Sequence, residues 1–218
     1  LTAIQGFVEI LNKRFTEIDL IEREKCFGII QRNIQRLDNL IEGVGTLGRI
    51  ERGVLKLEKE NINCKEFLEE ALEPYKRLLV NQLEIKLNNN LNEITINIDT
   101  GRVLQVLDNL IDNAMKHTNE INRKILISTE NNHEYLAINV SDNGAGIAPE
   151  YLDRIFKQFI SIPTKYHSQG TGIGLYLSRM IIEAHNGSIK AISTGIDMGA
   201  TFCIELPIVK QNIEIKKV

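Results

Sequence analysis

The stretch Asn109-Leu-Ile-Asp-Asn113-Ala-Met-Lys116-His117-Thr118 closes a run in which Val103, Val106, Leu107, Leu110 and Ile111 recur at three- and four-residue spacing. That spacing predicts a helix from about Arg102 to His117 with one buried face. Asn109 and Asn113 stand four apart and share a face, and Lys116 follows in the last turn. Asparagine carbonyls are neutral hard-oxygen ligands suited to Mg2+ that keeps water and phosphate oxygens in its shell. A nearby lysine offers a point charge to phosphate. Two asparagines on a helix are more often plain polar surface, so this stretch alone is weak.

Two glycine-rich stretches follow. Asp142-Asn143-Gly144-Ala145-Gly146-Ile147 comes directly after an alternating strand. An aspartate at a strand's end can accept a hydrogen bond from an exocyclic amine while glycines let a ligand approach the backbone. The plainer reading is a tight turn, since Asp-Asn-Gly is strong turn chemistry. Gly170-Thr171-Gly172-Ile173-Gly174-Leu175 leads into an apolar helical run read from about Gly172 to Ala184. Glycines ahead of a helix N-terminus leave amides free to hold an anionic phosphate chain. No Gly-Lys-Ser/Thr follows and no strand opens the motif, which excludes a Walker loop and a dinucleotide fingerprint. A glycine-rich linker is the plainer alternative.

Outward from these motifs, strands and helices alternate. Val54 to Leu57 reads as a short extended segment, and Asn61-Ile-Asn-Cys64 as the turn into a helix faced by Phe67, Leu68, Ala71, Leu72, Leu78 and Leu79. Leu83–Leu87 and Ile94–Ile98 alternate and read as a hairpin about the Asn-rich stretch between them. Lys124–Thr129 and Tyr135–Val140 form a second hairpin about Asn131-Asn132, and Ser188–Ser193 and Ala200–Leu206 close the chain. The pattern predicts an α+β fold, a mixed, mostly antiparallel sheet covered by helices on one face.

The first fifty residues differ. Leu1, Ile4, Val8 and Leu11 already sit at helical spacing, as if the chain began inside a helix. After a polar break at Thr16 to Asp19, Phe27, Ile30, Ile34, Leu37, Ile41 and Val44 form a heptad seam. Two such helices make a hairpin whose seam is buried by pairing two copies into a four-helix bundle, so a homodimer is expected. Gly43, Gly45 and Gly48 read as softening the junction that follows.

Composition narrows the class. The 218 residues carry 26 Lys plus Arg against 29 Asp plus Glu, a net charge of −3 that leaves no footprint for nucleic acid. No apolar run reaches the roughly 18 residues of a membrane span. Three scattered cysteines, Cys26, Cys64 and Cys203, fit neither a disulfide framework nor a zinc site, and point to a reducing, cytoplasmic setting.

Taken in order, the Asn stretch, the strand, Asp-x-Gly-x-Gly, Ile155-Phe156-Lys-Gln-Phe159, a short loop and Gly-x-Gly-x-Gly resemble the catalytic ATP-binding domain of sensor histidine kinases. This is the Bergerat-type α/β sandwich shared with gyrase B, the Hsp90 chaperones and MutL. The closing Gly199-Ala-Thr-Phe-Cys-Ile-Glu-Leu-Pro207 is similar to the family's last strand. Leu1-Thr-Ala-Ile, Arg36-Leu37, Leu40-Ile41 and Arg49-Ile-Glu51 to Gly53 are similar to its dimerisation helices. The resemblance divides the chain into a truncated dimerisation and histidine-phosphotransfer hairpin (1–56), a catalytic domain (57–210) and a tail (211–218).

The resemblance implies ATP and Mg2+ as cofactors. Asn113 would coordinate the metal with Asn109 in support, Lys116 would contact phosphate, and His117 would stand beside the nucleotide. Asp142 would select adenine, with Gly144, Gly146 and Ile147 lining the pocket and Thr201 helping to close it. Gly170, Gly172 and Gly174, with Thr171, Ile173 and Leu175 between and after them, would hinge a lid of residues 160–169 and pass phosphates to the next helix. The reaction implied is transfer of the γ-phosphoryl group to a histidine on the dimerisation helix and then to an aspartate of a response regulator.

Two departures bear on activity. The acceptor histidine would precede Leu1 and is not among His117, His133, His167 and His185, so this chain is expected to bind ATP without phosphorylating itself. Ser161 stands where many members place a phosphate-contacting arginine, with Lys157 and Lys165 as the nearby charges. The alternatives are a non-catalytic nucleotide-binding dimer and another Bergerat ATPase.

Overall fold

A computed structural model describes residues 2–14, 19–51, 56–166 and 170–209. It divides into two compact units, Leu1–Leu55 and Lys56–Val218. The readings placed on Leu1, the Thr16 turn, Val54-Leu55, His167 and the 211–218 tail lie outside the described residues. No helix among the described residues is long and apolar enough to cross a membrane.

The first unit holds α1 (Thr2–Arg14) and α2 (Leu20–Glu51). The two helices meet through Leu11 and Cys26, flanked by Phe7 and Ile30. Three seam residues, Phe27, Ile34 and Ile41, remain 54%, 46% and 71% exposed. The helix α2 runs through Gly43, Gly45 and Gly48 without a break.

In the second unit the elements follow as β1 (Glu60–Asn63), α3 (Cys64–Leu78), β2 (Leu83–Lys86), β3 (Thr95–Ile98), α4 (Thr100–Lys116), β4 (Ile125–Asn131), β5 (Tyr135–Asp142), α5 (Gly174–Ala184), β6 (Ser188–Ile192) and β7 (Ala200–Pro207). Five strands form one mixed sheet in the order β2-β4-β5-β7-β6, with only β2–β4 parallel. The register aligns Ile127 with Val140 and Phe202, and Ile138 with Ile204, so one face of the sheet is a continuous apolar layer. Helix α4 packs on β4 and β5, and α5 packs on α4, β6 and β7. The inward residues expected of α4, Val103, Val106, Leu107, Leu110 and Ile111, are all buried.

Three sequence readings are corrected here. Leu83–Lys86 and Thr95–Ile98 are strands but not a hairpin: β2 joins the main sheet beside β4, and β3 pairs antiparallel with β1 in a separate two-stranded sheet. The intervening stretch turns back as a 3-10 helix at Leu91–Glu93, with Leu91 buried in the core. Alternation marks a strand but cannot name its partner. Residues 61–63 are strand rather than turn, and Asn63 does double duty by accepting the Lys65 and Glu66 amides as the N-cap of α3. Leu78 faces solvent at 66% exposure while Leu79 is buried, because α3 ends between them.

Candidate functional site

Helix α4 ends, strand β5 ends and helix α5 begins around one region of the second unit. On β5, Leu136, Ile138 and Val140 face the helices and are fully buried. Asp142 is the next residue of that row, so the period of two sets a carboxylate where the pattern calls for another apolar side chain. It is opposite Ile125 on one side and Ala200 on the other. Burial pushes its carboxyl up to about 6, although the Gly144 and Ala200 amides donate to it and pull the other way. The Gly144 N–H bond to Asp142 Oδ1 is 2.7 Å.

The loop after Asp142 is interlocked through its backbone. A Cβ on Gly144 would stand 2.3 Å from the His117 carbonyl oxygen, and the Ala145 amide donates to that oxygen at 3.0 Å. Gly146 has φ of +65°, and a Cβ there would stand 2.0 Å from the Gly195 carbonyl oxygen. The segment between β6 and β7 supplies the opposite wall. Asp197 N–H donates to the Ala145 carbonyl (2.7 Å), and Gly199 N–H to that of Gly144 (3.2 Å). Ser193 Oγ accepts the Ile147 amide at 3.0 Å and donates to the Gly199 carbonyl at 2.7 Å.

The face of α4 beside this loop carries Asn109 and Asn113, both half-buried. Asn109 Nδ2 donates to Ser178 Oγ of α5 at 2.9 Å. Lys116 Nζ is paired with Asp112 at 2.6 Å on the surface. His117 caps α4, its amide bonded to the Asn113 carbonyl, and its ring Nδ1 lies 3.1 Å from Thr164 Oγ1. Helix α5 begins at Gly174 after Ile173, which offers no side-chain cap. Its first-turn amides therefore lack the usual Ser, Thr, Asp or Asn partner and suit an anion.

Phe159 and Gly172 meet backbone to backbone. Phe159 N–H donates to the Gly172 carbonyl at 2.9 Å. A Cβ on Gly172, at φ +69°, would stand 2.5 Å from the Phe159 carbonyl carbon. Phe156 is buried edge-on against Phe202 (6.4 Å, 81°), while Phe159 is exposed. Ser161 Oγ accepts the Gly170 amide at 2.7 Å and so ties the two ends of the loop. Lys165 pairs with Asp197 at 2.6 Å and lies over the Tyr166 ring.

Contacts join the sequence-predicted residues in two groups, Asp142, Gly144 and Gly146 with the His117 carbonyl and the segment before β7, and Asn109 with Gly174 at the start of α5. Asp142, Gly144, Gly146 and Ile147 stand together at the end of β5, joined to His117 by the backbone. Asn109, Asn113, Lys116, His117 and Gly170 to Leu175 lie on the other elements.

Thr201 does not join them as expected. It pairs with Ser141, Oγ to Oγ1 at 2.8 Å, on the sheet face opposite Asp142, because the register sets Ala200 and not Thr201 beside the carboxylate. Gly174 is the first residue of α5 and packs on Asn109.

Sequence reasoning missed Ser193 and Ser178. Ser178 had a signal, a hydroxyl within the apolar stripe Leu177, Ile181 and Ile182. Ser193 had none, since its partners come from distant segments.

The family model described as "Histidine kinase-, DNA gyrase B-, and HSP90-like ATPase" matches residues 98–210. The chain is 30% identical over 222 aligned residues to sensor protein SrrB of Staphylococcus aureus, covering 95% of this chain and 35% of that protein. It therefore spans about a third of the length of the curated relatives it matches. Among solved structures, the histidine kinase AdeS of Acinetobacter baumannii aligns with a TM-score of 0.72 at 26% identity, over 96% of this chain and 95% of that one. Histidine kinase ThkA, solved in complex with response regulator protein TrrA, aligns at 0.71 and 26% identity, over 95% of this chain and 57% of that one. With its Asn-bearing helix, its half-buried aspartate and its glycine-backed loops in this arrangement, the chain belongs to the histidine kinase-, gyrase B- and HSP90-like ATPase family and carries the catalytic ATP-binding domain of a sensor histidine kinase.

Proposed function

We propose that this chain binds ATP with Mg2+ between β5, α4 and α5, as the kinase portion of a two-component sensor. The observation that carries the reading is Asp142, a carboxylate closing a buried apolar row beside backbone that glycines leave bare. Such a group accepts a hydrogen bond from adenine's exocyclic amine, and its partly desolvated setting strengthens that bond. Asn113, with Asn109, would supply amide oxygens to the metal. Lys116 and the uncapped first turn of α5 would neutralise phosphate charge. No cluster of three His, Cys, Asp or Glu occurs among the described residues, so the ion's remaining ligands would be phosphate oxygens and water.

When bound, the nucleotide supplies the γ-phosphoryl group. The protein's share is positioning and charge neutralisation, because this transfer asks little covalent chemistry of it. The acceptor would be a histidine on a dimerisation helix, and the next acceptor an aspartate of a response regulator. ThkA's solution with a response regulator supports that partner class. The exposed Phe27, Ile34 and Ile41 support a homodimer closed through α2. The reading divides the chain at about residue 56 and sets it in the cytoplasm, where ATP is supplied. None of its four histidines lies in α1 or α2, so the chain as it stands would bind ATP without phosphorylating itself.

Titration of a non-hydrolysable ATP analogue into wild type and Asp142→Ala, with and without Mg2+, tests the reading. Loss of binding in the variant and a Mg2+-dependent gain in wild type are expected. Equal affinity in both proteins would remove adenine selection by Asp142. Acid-labile phosphohistidine on this chain after incubation with ATP would overturn the expected lack of self-phosphorylation.

A further inference from the structure

Helix α5 grips Asn109 at two points. One is the 2.9 Å hydrogen bond from Asn109 Nδ2 to Ser178 Oγ. The other is Gly174, where a Cβ would stand 2.3 Å from Asn109 Oδ1. Gly174 and Ser178 are four residues apart and so lie one above the other on one face of α5. The glycine supplies room and the serine supplies the bond. Ser178 is 1% exposed in an otherwise apolar stripe with Leu177, Ile181 and Ile182. A buried hydroxyl is costly unless bonded, and alanine would have filled the stripe without that cost.

We propose that Gly174 and Ser178 are positioning residues that seat the Asn109 amide, with its nitrogen committed to Ser178 and its oxygen turned to the start of α5. This deepens the nucleotide reading and rests on it. A side-chain oxygen fixed before the ligand arrives loses less freedom on binding, so the pair of asparagines is preorganised for a metal-phosphate group. It also gives the third glycine of Gly-x-Gly-x-Gly a purpose separate from loop flexibility. That residue is glycine because an asparagine from another helix occupies the place of its Cβ.

A double-mutant cycle on the intact chain tests this, with affinity for a non-hydrolysable ATP analogue measured in Mg2+ and in EDTA. Ser178→Ala should cut the Mg2+-dependent gain by about threefold to tenfold, the worth of one hydrogen bond, and leave the EDTA affinity unchanged. In an Asn109→Ala background the same change should do nothing further. In ligand-free protein, the Asn109 side-chain amide resonances should shift and exchange faster in Ser178→Ala, and Gly174→Ala should act likewise. An equal loss in Mg2+ and EDTA, or a loss that persists without Asn109, would make Ser178 a packing residue and overturn the inference. A Mg2+ gain abolished by Asn113→Ala but untouched by Ser178→Ala would overturn this inference alone. A Mg2+ gain that survives Asn113→Ala would overturn the underlying reading.

Discussion

The two loops that flank the candidate site are built by different means. Residues 142–147 are locked by backbone against backbone: Gly144 on the His117 carbonyl, Gly146 on Gly195, and Gly199 on the Asp142 carbonyl, each too close for a Cβ. Beyond the backbone pair Phe159–Gly172, the described residues 160–166 and Gly170 are held by side chains at or near the surface, through Ser161 to Gly170, Thr164 to His117 and Lys165 to Asp197. Backbone contacts of the first kind cannot open without unfolding the sheet's end, whereas single side-chain bonds exchange readily with water. The end of the candidate site at Asp142 is thus built in advance, and the stretch that carries Ser161, Thr164 and Lys165 is left adjustable.

The sharpest way to break this contrast is to add one methyl group to each loop. Gly146→Ala and Gly199→Ala set a Cβ about 2.0 Å from a carbonyl oxygen at positive φ. Each should cost on the order of 2–4 kcal/mol in urea unfolding. Gly170→Ala, whose Cβ would meet Ser161 Oγ at 3.3 Å and the Gly172 nitrogen at 4.0 Å, should cost less than about 1 kcal/mol. Equal losses would erase the distinction between the loops.

A second effect concerns the charge at the built end. Folding raises the Asp142 carboxyl from 3.8 to about 6. The folded chain thus holds this proton more tightly than the unfolded one, and the resulting stability is present below about pH 4 and lost as pH rises through about 6. Asp142→Asn should therefore stabilise the ligand-free protein above pH 6, by about 1–3 kcal/mol, and hardly at all below pH 4. Melting curves at pH 4 and pH 8 would show it, and a variant less stable than wild type at pH 8 would refute it. The same substitution should abolish nucleotide binding, trading function for stability.

The adjustable end predicts smaller changes. Thr164→Val removes a hydrogen-bond partner of the His117 ring. It should shift global stability by no more than about 1 kcal/mol while making residues 160–170 more sensitive to limited proteolysis. Lys165→Ala breaks an ion pair with both side chains more than half exposed. It should leave the urea midpoint unchanged, as exposed pairs do, and unchanged proteolysis of the loop would show that the pair contributes nothing to closure either.

His185 illustrates how far local reading reaches. Its place before Asn186-Gly187 marks it as a helix cap, and it is the C-cap of α5. Yet its ring Nε2 also accepts the Asp99 amide at 2.9 Å, so Nδ1 carries the proton and donates to the Ile181 carbonyl at 2.7 Å. Burial holds its pKa below the usual value, in keeping with that neutral form. The capping residue was visible in the sequence; the bond to a residue 86 positions away was not.

The amino-acid sequence by itself determined the helices with a clear apolar period, the strands with alternation, and the order of the three polar and glycine-rich stretches. These depend on neighbours three, four or two residues apart and on side-chain chemistry that does not change with context. Only the tertiary structure decided that β2 pairs with β4 and β3 with β1, that Thr201 faces away from Asp142, and that Asn109 sits in the notch of α5. Strand partners, sheet register and helix-to-helix hydrogen bonds are choices among distant segments, made by burying the largest apolar area with every buried polar group satisfied.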